Sequence, residues 1–297
     1  MRGRLGSGIA NAILFLCAVL AAPMAAQAQG VPLPVEELPL AKDIGVPSGQ
    51  TVTPVYEGWY QNPDGTYSIV FGYYSRNGEE VLHVPLGPDN EVTGAAQVIG
   101  QPTDFEPGRH WGVFAARVPS DFDGEVLWTL KDRGRTFEIP GGLNPLWKVD
   151  AITGDAMGNF PPEIRFQESG PTGQGPAGIE ADPLSAQVGA PLEITVWGKD
   201  DGVAEALGAS TTSSRPFQVR WTKQSGPAPV TFSKSEADIP VEGGMASTTA
   251  TFEAPGDYVL RVTANDASGV VGGGHAQCCW TNGFVKVSVS EGSRRAQ

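Results

Sequence analysis

Apolar and polar residues alternate over short stretches along most of the chain, with the two-residue period of strands and without a sustained helical period. Tyr67, Ile69, Phe71 and Tyr73 fall on one face of a predicted strand, and Ser68, Val70, Gly72 and Tyr74 on the other. Asn62-Pro63-Asp64-Gly65 places Pro and Gly where a tight turn wants them, which joins this strand to one that starts at Thr51. Asn77-Gly78 reads as a type I′ turn leading into a third antiparallel strand over residues 79–85. Further strands are predicted near residues 91–98, 110–118, 125–131 and 136–139. They are separated by Gly87-Pro88-Asp89-Asn90, Glu106-Pro107-Gly108, Asp121-Phe122-Asp123-Gly124 and Arg133-Gly134.

Beyond residue 158 the texture changes. Phe160-Pro161-Pro162 opens a short strand over residues 163–167, and the Gly- and Pro-rich residues 169–183 read as a long surface loop. Leu192, Ile194 and Val196 then point one way, and Glu193, Thr195 and Trp197 the other. With stretches near residues 185–188, 217–223, 229–233, 247–252, 258–265 and 284–289, about seven strands are predicted. An immunoglobulin-like sandwich buries a Trp on its third strand and sets a Tyr at the start of its sixth, with the hydroxyl bonded back to the corner. Trp221 and Tyr258, the latter after Pro255-Gly256-Asp257, fit those two places. Leu260 stands where the second disulfide cysteine would be and is expected to face Ile194 or Val196. The expected fold class is all-β: two β-sandwich domains, the C-terminal one immunoglobulin-like.

The segments LEITVWGKDDG (192–202), VRWTKQSGPAPVTFS (219–233) and TTATFEAPGDYVLRVTANDASG (248–269) resemble the PKD/REJ-type immunoglobulin-like domains of secreted bacterial proteins. That resemblance covers roughly residues 160–292. It implies a sandwich with an extracellular or envelope role and implies no activity, since the fold hosts many functions. The segment YEGWYQNPDGTYSIVFGYYSRNGEE (56–80) resembles uncharacterised secreted bacterial proteins and implies only the same address.

Composition changes the picture chiefly at the N-terminus. Arg2 and Arg4, the apolar run over residues 13–20 and Ala26-Gln27-Ala28 predict a signal peptide over residues 1–28. A retained anchor and a lipoprotein modified at Cys17 are the alternatives, the latter opposed by bulky Leu16. Residues 29–50 form a Pro-rich lead-in, 51–158 the first domain, 159–292 the second, and 293–297 a tail. Removing Arg2 and Arg4 from 20 basic residues leaves 18 against 33 acidic ones, a net charge of −15. Such a surface repels nucleic acid and anionic lipid. The expected location is therefore secreted or periplasmic, with no later membrane span.

Candidate chemistry is sparse. Cys278 and Cys279 are the only cysteines after the predicted cleavage site. A disulfide between neighbours, two thiols, intermolecular bridging and metal binding with His275 are the readings open to them. Trp280 beside them is expected to pack rather than to present a contact face. Asp200, Asp201 and Asp266 lie at strand ends and supply part of a Ca²⁺ shell, solvated turn carboxylates being the plainer account. Trp59, Tyr60, Tyr74 and Trp111 form a candidate stacking face for sugar rings, or else pack in the sheets. No nucleophile elbow, zincin, P-loop or dinucleotide pattern is present, and His83, His110 and His275 are dispersed. Glu79 and Glu80, adjacent on a predicted strand, would face opposite sides and cannot flank one glycosidic bond.

The sequence thus predicts a non-catalytic binding or interaction protein that engages glycan, envelope surface or another extracellular protein through its first domain. A structural envelope or spacer protein without a soluble ligand is one alternative, and a secreted hydrolase with scattered catalytic residues the other.

Overall fold

The first half builds nine strands: β1 (Val52–Gln61), β2 (Tyr67–Ser75), β3 (Leu82–His83), β4 (Asn90–Thr93), β5 (Gln97–Ile99), β6 (Asp104–Phe105), β7 (Gly108–Val118), β8 (Val126–Asp132) and β9 (Arg135–Gly141). They come from a computed structural model that describes residues 46–149, 158–206, 209–212, 214–266 and 279–292. The predicted signal peptide, most of the lead-in, Cys278, His275 and the tail lie outside the described residues. Strands β1-β2-β7-β5 make one antiparallel sheet and β4-β8-β9 a second, with β3-β6 as a short ladder beside them.

The alternation of β2 and β7 explains the core between these sheets. Ile69, Phe71, Phe114, Ala116 and Val118 project inward and meet Val126, Trp128 and Leu130 of β8. The Phe71 and Phe114 rings stack at 5.4 Å, and Phe114 meets Trp128 edge-on at 4.9 Å. The Trp128 indole N–H needs an acceptor once buried, and Asn90 Oδ1 supplies it at 3.0 Å. The Asn90 amide donates to the carbonyls of Val84 and Pro102, at 3.0 and 2.7 Å. One buried side chain thereby fastens two crossing loops to the core.

The Asn62-Pro63-Asp64-Gly65 turn forms as expected: Gly65 N–H donates to the Asn62 carbonyl and Asn62 N–H to that of Thr66. The Asn77-Gly78 hairpin does not. A type I′ turn needs positive φ at both central residues, and neither residue has it. Instead Asn77 is buried and exchanges hydrogen bonds with the backbone of Gln50. The second neighbour of β2 is consequently β7, and the chain bends at residues 78–79, where the Glu79 and Glu80 N–H groups both donate to the Pro47 carbonyl. Glu79 and Glu80 are thus not strand neighbours, and Glu80 pairs with Arg133. The single strand predicted over residues 91–98 is two, β4 and β5, which belong to different sheets.

The second half adds β10 (Glu163–Arg165), β11 (Ile179–Glu180), β12 (Leu184–Gln187), β13 (Leu192–Lys199), β14 (Val203–Ala206), β15 (Ala209–Thr212), β16 (Phe217–Ser225), β17 (Val230–Phe232), β18 (Glu236–Ile239), β19 (Gly244–Phe252), β20 (Gly256–Asn265) and β21 (Trp280–Ser290). Sheet β10-β13-β19-β17 faces sheet β11-β21-β20-β16-β18, onto which β12 adds in parallel with β21; β14 and β15 form a separate hairpin. This is an immunoglobulin-like sandwich. Trp221 is buried among Ile194, Val196, Leu260 and Val262. The Tyr258 hydroxyl donates back to the Ala254 carbonyl at 2.8 Å, the corner bond expected of that position. All seven predicted strands are present, and β11, β14, β15 and β18 were not foreseen.

The expected surface loop over residues 169–183 is partly interior. Gly175 and Pro176 are buried, and Thr281 and Asn282 bind this loop at Gly175 N, Gly175 O and Pro176 O. The described residues fall within one compact unit, Gly45–Gln297. The two cores are joined through the outer face of the first sheet.

Candidate functional site

The junction is built on β21. Trp280, only 1% exposed, lays its ring on Gly112 and its indole N–H points at the Gly112 carbonyl at 3.3 Å. Gly112 has φ +46, and a Cβ there would run into the Trp280 ring. Asn282 is buried beside it and donates to the carbonyls of both Gly112 and Pro176, at 2.7 and 2.8 Å. On the other flank Gln224 Nε2 donates to the Gly100 carbonyl, and Thr103 N–H donates to the Gln224 carbonyl at 3.0 Å.

Between these two seams lies a cavity of about 180 Å³. Its floor is the outer face of the second sandwich. There, period-two alternation sends Val262 and Ala264 of β20 into the core and Arg261, Thr263 and Asn265 outward. Register places Thr222 of β16 opposite Arg261 and Arg220 opposite Thr263, and both line the same cavity. Its roof comes from the first half: Asp104 and Glu106, then Arg109, His110 and Trp111 at the start of β7.

The electrostatics of this cleft are unequal. Lys223 pairs with Asp104 at 2.9 Å, Arg109 with Glu57 at 2.5 Å, and Arg220 with Glu106 at 3.5 Å and Glu236 at 3.8 Å. Among the described residues Arg261 has no carboxylate within ion-pair distance. It is 7% exposed, its Nε donates to Asn282 Oδ1 at 2.9 Å, and its two terminal nitrogens meet no acceptor among the described residues. Burial pushes its pKa down to about 10, partly offset by Tyr73 and Glu106, so it stays charged at neutral pH. Asn265 Oδ1 is likewise buried without a donor. His110 stacks on Tyr73 at 4.7 Å, and one ring nitrogen lies 2.9 Å from the Pro107 carbonyl. Burial lowers its pKa and favours the neutral ring.

The aromatic residues singled out in the sequence do not form one face. Tyr60 is 4% exposed, its hydroxyl accepts from Ala177 N–H at 2.8 Å, and burial pushes its pKa up to about 12. It is a junction residue, because loop 169–183 folds over it. Trp59, its neighbour on β1, points to the opposite side, meets Tyr67 edge-on at 5.5 Å and donates to the Asn144 carbonyl at 2.7 Å. Tyr74 is exposed, at 43%, and sits opposite Arg109 in the β2–β7 ladder. Trp111 holds the Arg109 guanidinium 3.9 Å from its ring centroid. Arg109 and Trp111 are therefore brought together at the cleft, while Trp59, Tyr60 and Tyr74, whose ring lies 5.7 Å from the Arg76 guanidinium, do not line it. Arg261 and Asn265 carried no signal in the sequence, since outward polar residues on a strand read as solvated.

Asp200, Asp201 and Asp266 do converge, each offering an oxygen within 4.8 Å of the others. Both Asp201 oxygens already accept backbone N–H groups, from Phe160 and Val203. Asp200 Oδ2 accepts from Gly202 N–H at 3.2 Å, and Asp200 Oδ1 is buried with no donor among the described residues. Burial and the Asp266 carboxylate push the Asp200 pKa up to about 7. Three carboxylates are half of the six to eight oxygens that Ca²⁺ takes. Cys279 is disulfide-bonded and buried; Cys278 lies outside the described residues. No described helix is long and apolar enough to cross a membrane.

No protein-family model and no curated protein matches the chain. Solved structures similar to it include the PKD domain from the KIAA 1837 protein, at 17% identity over 44% of this chain and 99% of that one, with a TM-score of 0.25. The SrpA adhesin of Streptococcus sanguinis is similar at 12% identity over 46% of this chain and 61% of that one, TM-score 0.25. A domain structure of intimin is similar at 14% identity over 80% of this chain and 99% of that one, TM-score 0.25. The immunoglobulin-like architecture of the second half rests on its own strand order.

Proposed function

We propose that the chain is an exported, non-catalytic binding protein that engages glycan at the cell envelope, with the ligand seated where the first half meets the second. The observation that carries this reading is the cleft, in which polar side chains from β7, β16 and β20 converge on a space their own hydrogen bonds leave unfilled. Trp111 in its wall supplies an apolar face of the kind sugar rings stack on. His110, the histidine of the cleft, is held by Pro107 and Tyr73 and serves the packing there. The export reading comes from the sequence alone, through the predicted signal peptide.

A glycan array probed with the processed protein tests the proposal. Binding that falls at least about tenfold in the Trp111→Ala variant supports it. Array-wide absence of binding, together with co-purification with the envelope fraction, refutes it and favours the spacer reading, which the tightly packed junction at Trp280 and Asn282 would suit.

A further inference from the structure

We propose that the cleft is a binding site for a single sugar carboxylate, a uronate, with Arg261 as its anion receptor. The inference deepens the binding reading above and rests on it.

Three observations select this chemistry. First, the other cations around the cleft each have a carboxylate within ion-pair distance, and among the described residues Arg261 has none. Arg220 takes two carboxylates, Glu106 and Glu236, so Arg261 is left without a direct ion pair; Glu106 acts on it only from a distance, and it is held in place by Asn282 with its two terminal nitrogens unused. A guanidinium whose Nε is engaged still presents two parallel donors, the fork that a planar carboxylate meets with two hydrogen bonds. Second, Asp104 and Glu106 line the same space, so a doubly charged phosphate would meet repulsion that a monoanion meets less. Third, the remaining wall is neutral and hydrogen-bonding. Thr222 and Thr263 offer hydroxyls. These groups suit the hydroxyls of a sugar ring. Arg261 and Asn265 are four residues apart on one face of β20, about 13 Å at strand rise, so a single sugar held by Arg261 meets Thr222 and Thr263 and not Asn265. The volume of about 180 Å³ is below the range of about 300–1,000 Å³ typical of drug-sized ligands. It suits one sugar unit, or the acidic end of a longer chain whose neighbours pass Trp111.

The test is calorimetric titration of the processed full-length protein with sodium glucuronate. Glucose with matched sodium chloride, sodium lactate and inorganic phosphate serve as the other arms, and each is repeated as a thermal-shift measurement. The expected result is glucuronate binding at least about tenfold tighter than glucose, lactate or phosphate, with a rise in Tm confined to glucuronate. Arg261→Lys keeps the charge but loses the fork and is expected to bind about tenfold more weakly. Arg261→Met is expected to abolish the selectivity, its fold checked by circular dichroism. Should Arg261→Met not fold, Thr263→Val removes one wall hydroxyl without touching the guanidinium and is expected to weaken glucuronate severalfold. Equal binding of phosphate or lactate, or glucuronate binding unchanged in these variants, overturns the assignment. Inert glucuronate with a Trp111-dependent neutral glycan on the array overturns this inference alone, whereas inertness in both experiments overturns the binding reading as well.

Discussion

Gly112 is one of two glycines of the first half, with Gly100 against Phe284, that a ring of the second half closely approaches, and replacing it with Ala measures what that contact is worth. Two costs add. The residue sits at φ +46, where a side chain costs about 1–2 kcal/mol. The new methyl also enters the Trp280 ring, and overpacking of a filled site costs about 1–3 kcal/mol. The expected loss is about 2–5 kcal/mol, a fall in Tm of roughly 4–10 °C for a chain of this size. Two glycines separate the terms. Gly134 has φ +74 with nothing within 4 Å of its added Cβ, so Gly134→Ala should lose only the backbone cost of about 1–2 kcal/mol. Gly124 has ordinary φ and an added Cβ no nearer than 3.5 Å to Phe122, so Gly124→Ala should stay within about 0.5 kcal/mol of the parent. The assay is urea unfolding followed by circular dichroism and tryptophan fluorescence. A double cycle with Trp280→Ala completes it: with the ring gone the steric cost should vanish, leaving a coupling of about 1–3 kcal/mol. A Gly112→Ala loss no larger than that of Gly134→Ala, or a cycle that sums to zero, would refute the close approach at this seam.

The remaining predictions address the second sandwich. Trp221→Ala should cost about 3–5 kcal/mol in urea unfolding, because the ring is buried. Trp221→Phe should recover at least half of that, since the Trp221 indole N–H is buried without an acceptor and Phe removes the orphaned donor. Asp200, with a folded pKa raised from 3.8 to about 7, holds its proton more tightly when folded. Its contribution is fully present below pH 4 and is lost as pH rises through about 7. Solvent reaches part of this carboxyl, so the loss is discounted to on the order of 1–2 kcal/mol. Asp200→Asn, measured in EDTA, should be the more stable protein at pH 8 and should flatten the pH dependence between pH 4 and 7. A parent whose stability is level across that range would contradict the burial of Asp200 among like charges.

Much of the second half was legible because its signals are local. Alternation placed Ile194, Val196, Leu260 and Val262 inside, and a Pro-Gly-Asp turn before Tyr258 announced the corner, whose hydrogen bond spans only four residues. The first half was legible where turns were local, as at Asn62–Gly65, and misread where a distant backbone competed. Asn77-Gly78 has the composition of a hairpin turn, yet the Asn77 amide is worth more bonded to Gln50 in a buried site than exposed at a turn tip. Loop 169–183 looked solvent-facing because Gly and Pro commonly are. Its small residues are what let Asn282 and Tyr60 reach the backbone. The cleft was invisible for a plainer reason. Asp104, Trp111, Arg220 and Arg261 are spread along the chain, and each reads as an ordinary outward residue until two sheets close over them.

Arg261 ties the site to the architecture. Its Nε fixes Asn282, and the Asn282 amide clamps Gly112 of the first half and Pro176 of the loop. The guanidinium has exchanged water for one neutral acceptor, and the effective penalty for burying an ion is several kcal/mol unless a counter-charge offsets it. A stabilising role alone would be met more cheaply by a neutral donor to Asn282, with no ion left to desolvate. A carboxylate arriving at the unused nitrogens adds a direct counter-charge to the distant one of Glu106, in a partly desolvated cleft where such a pair is stronger than at an open surface. Because the same side chain holds Asn282, ligand binding and junction geometry are coupled: occupancy stiffens the seam, and loosening the seam misplaces the fork. Gly112→Ala, which touches no cleft donor, should therefore weaken glucuronate as well as lower Tm. If it lowers Tm and leaves affinity intact, Arg261 is held by β20 alone and the coupling through Asn282 is absent.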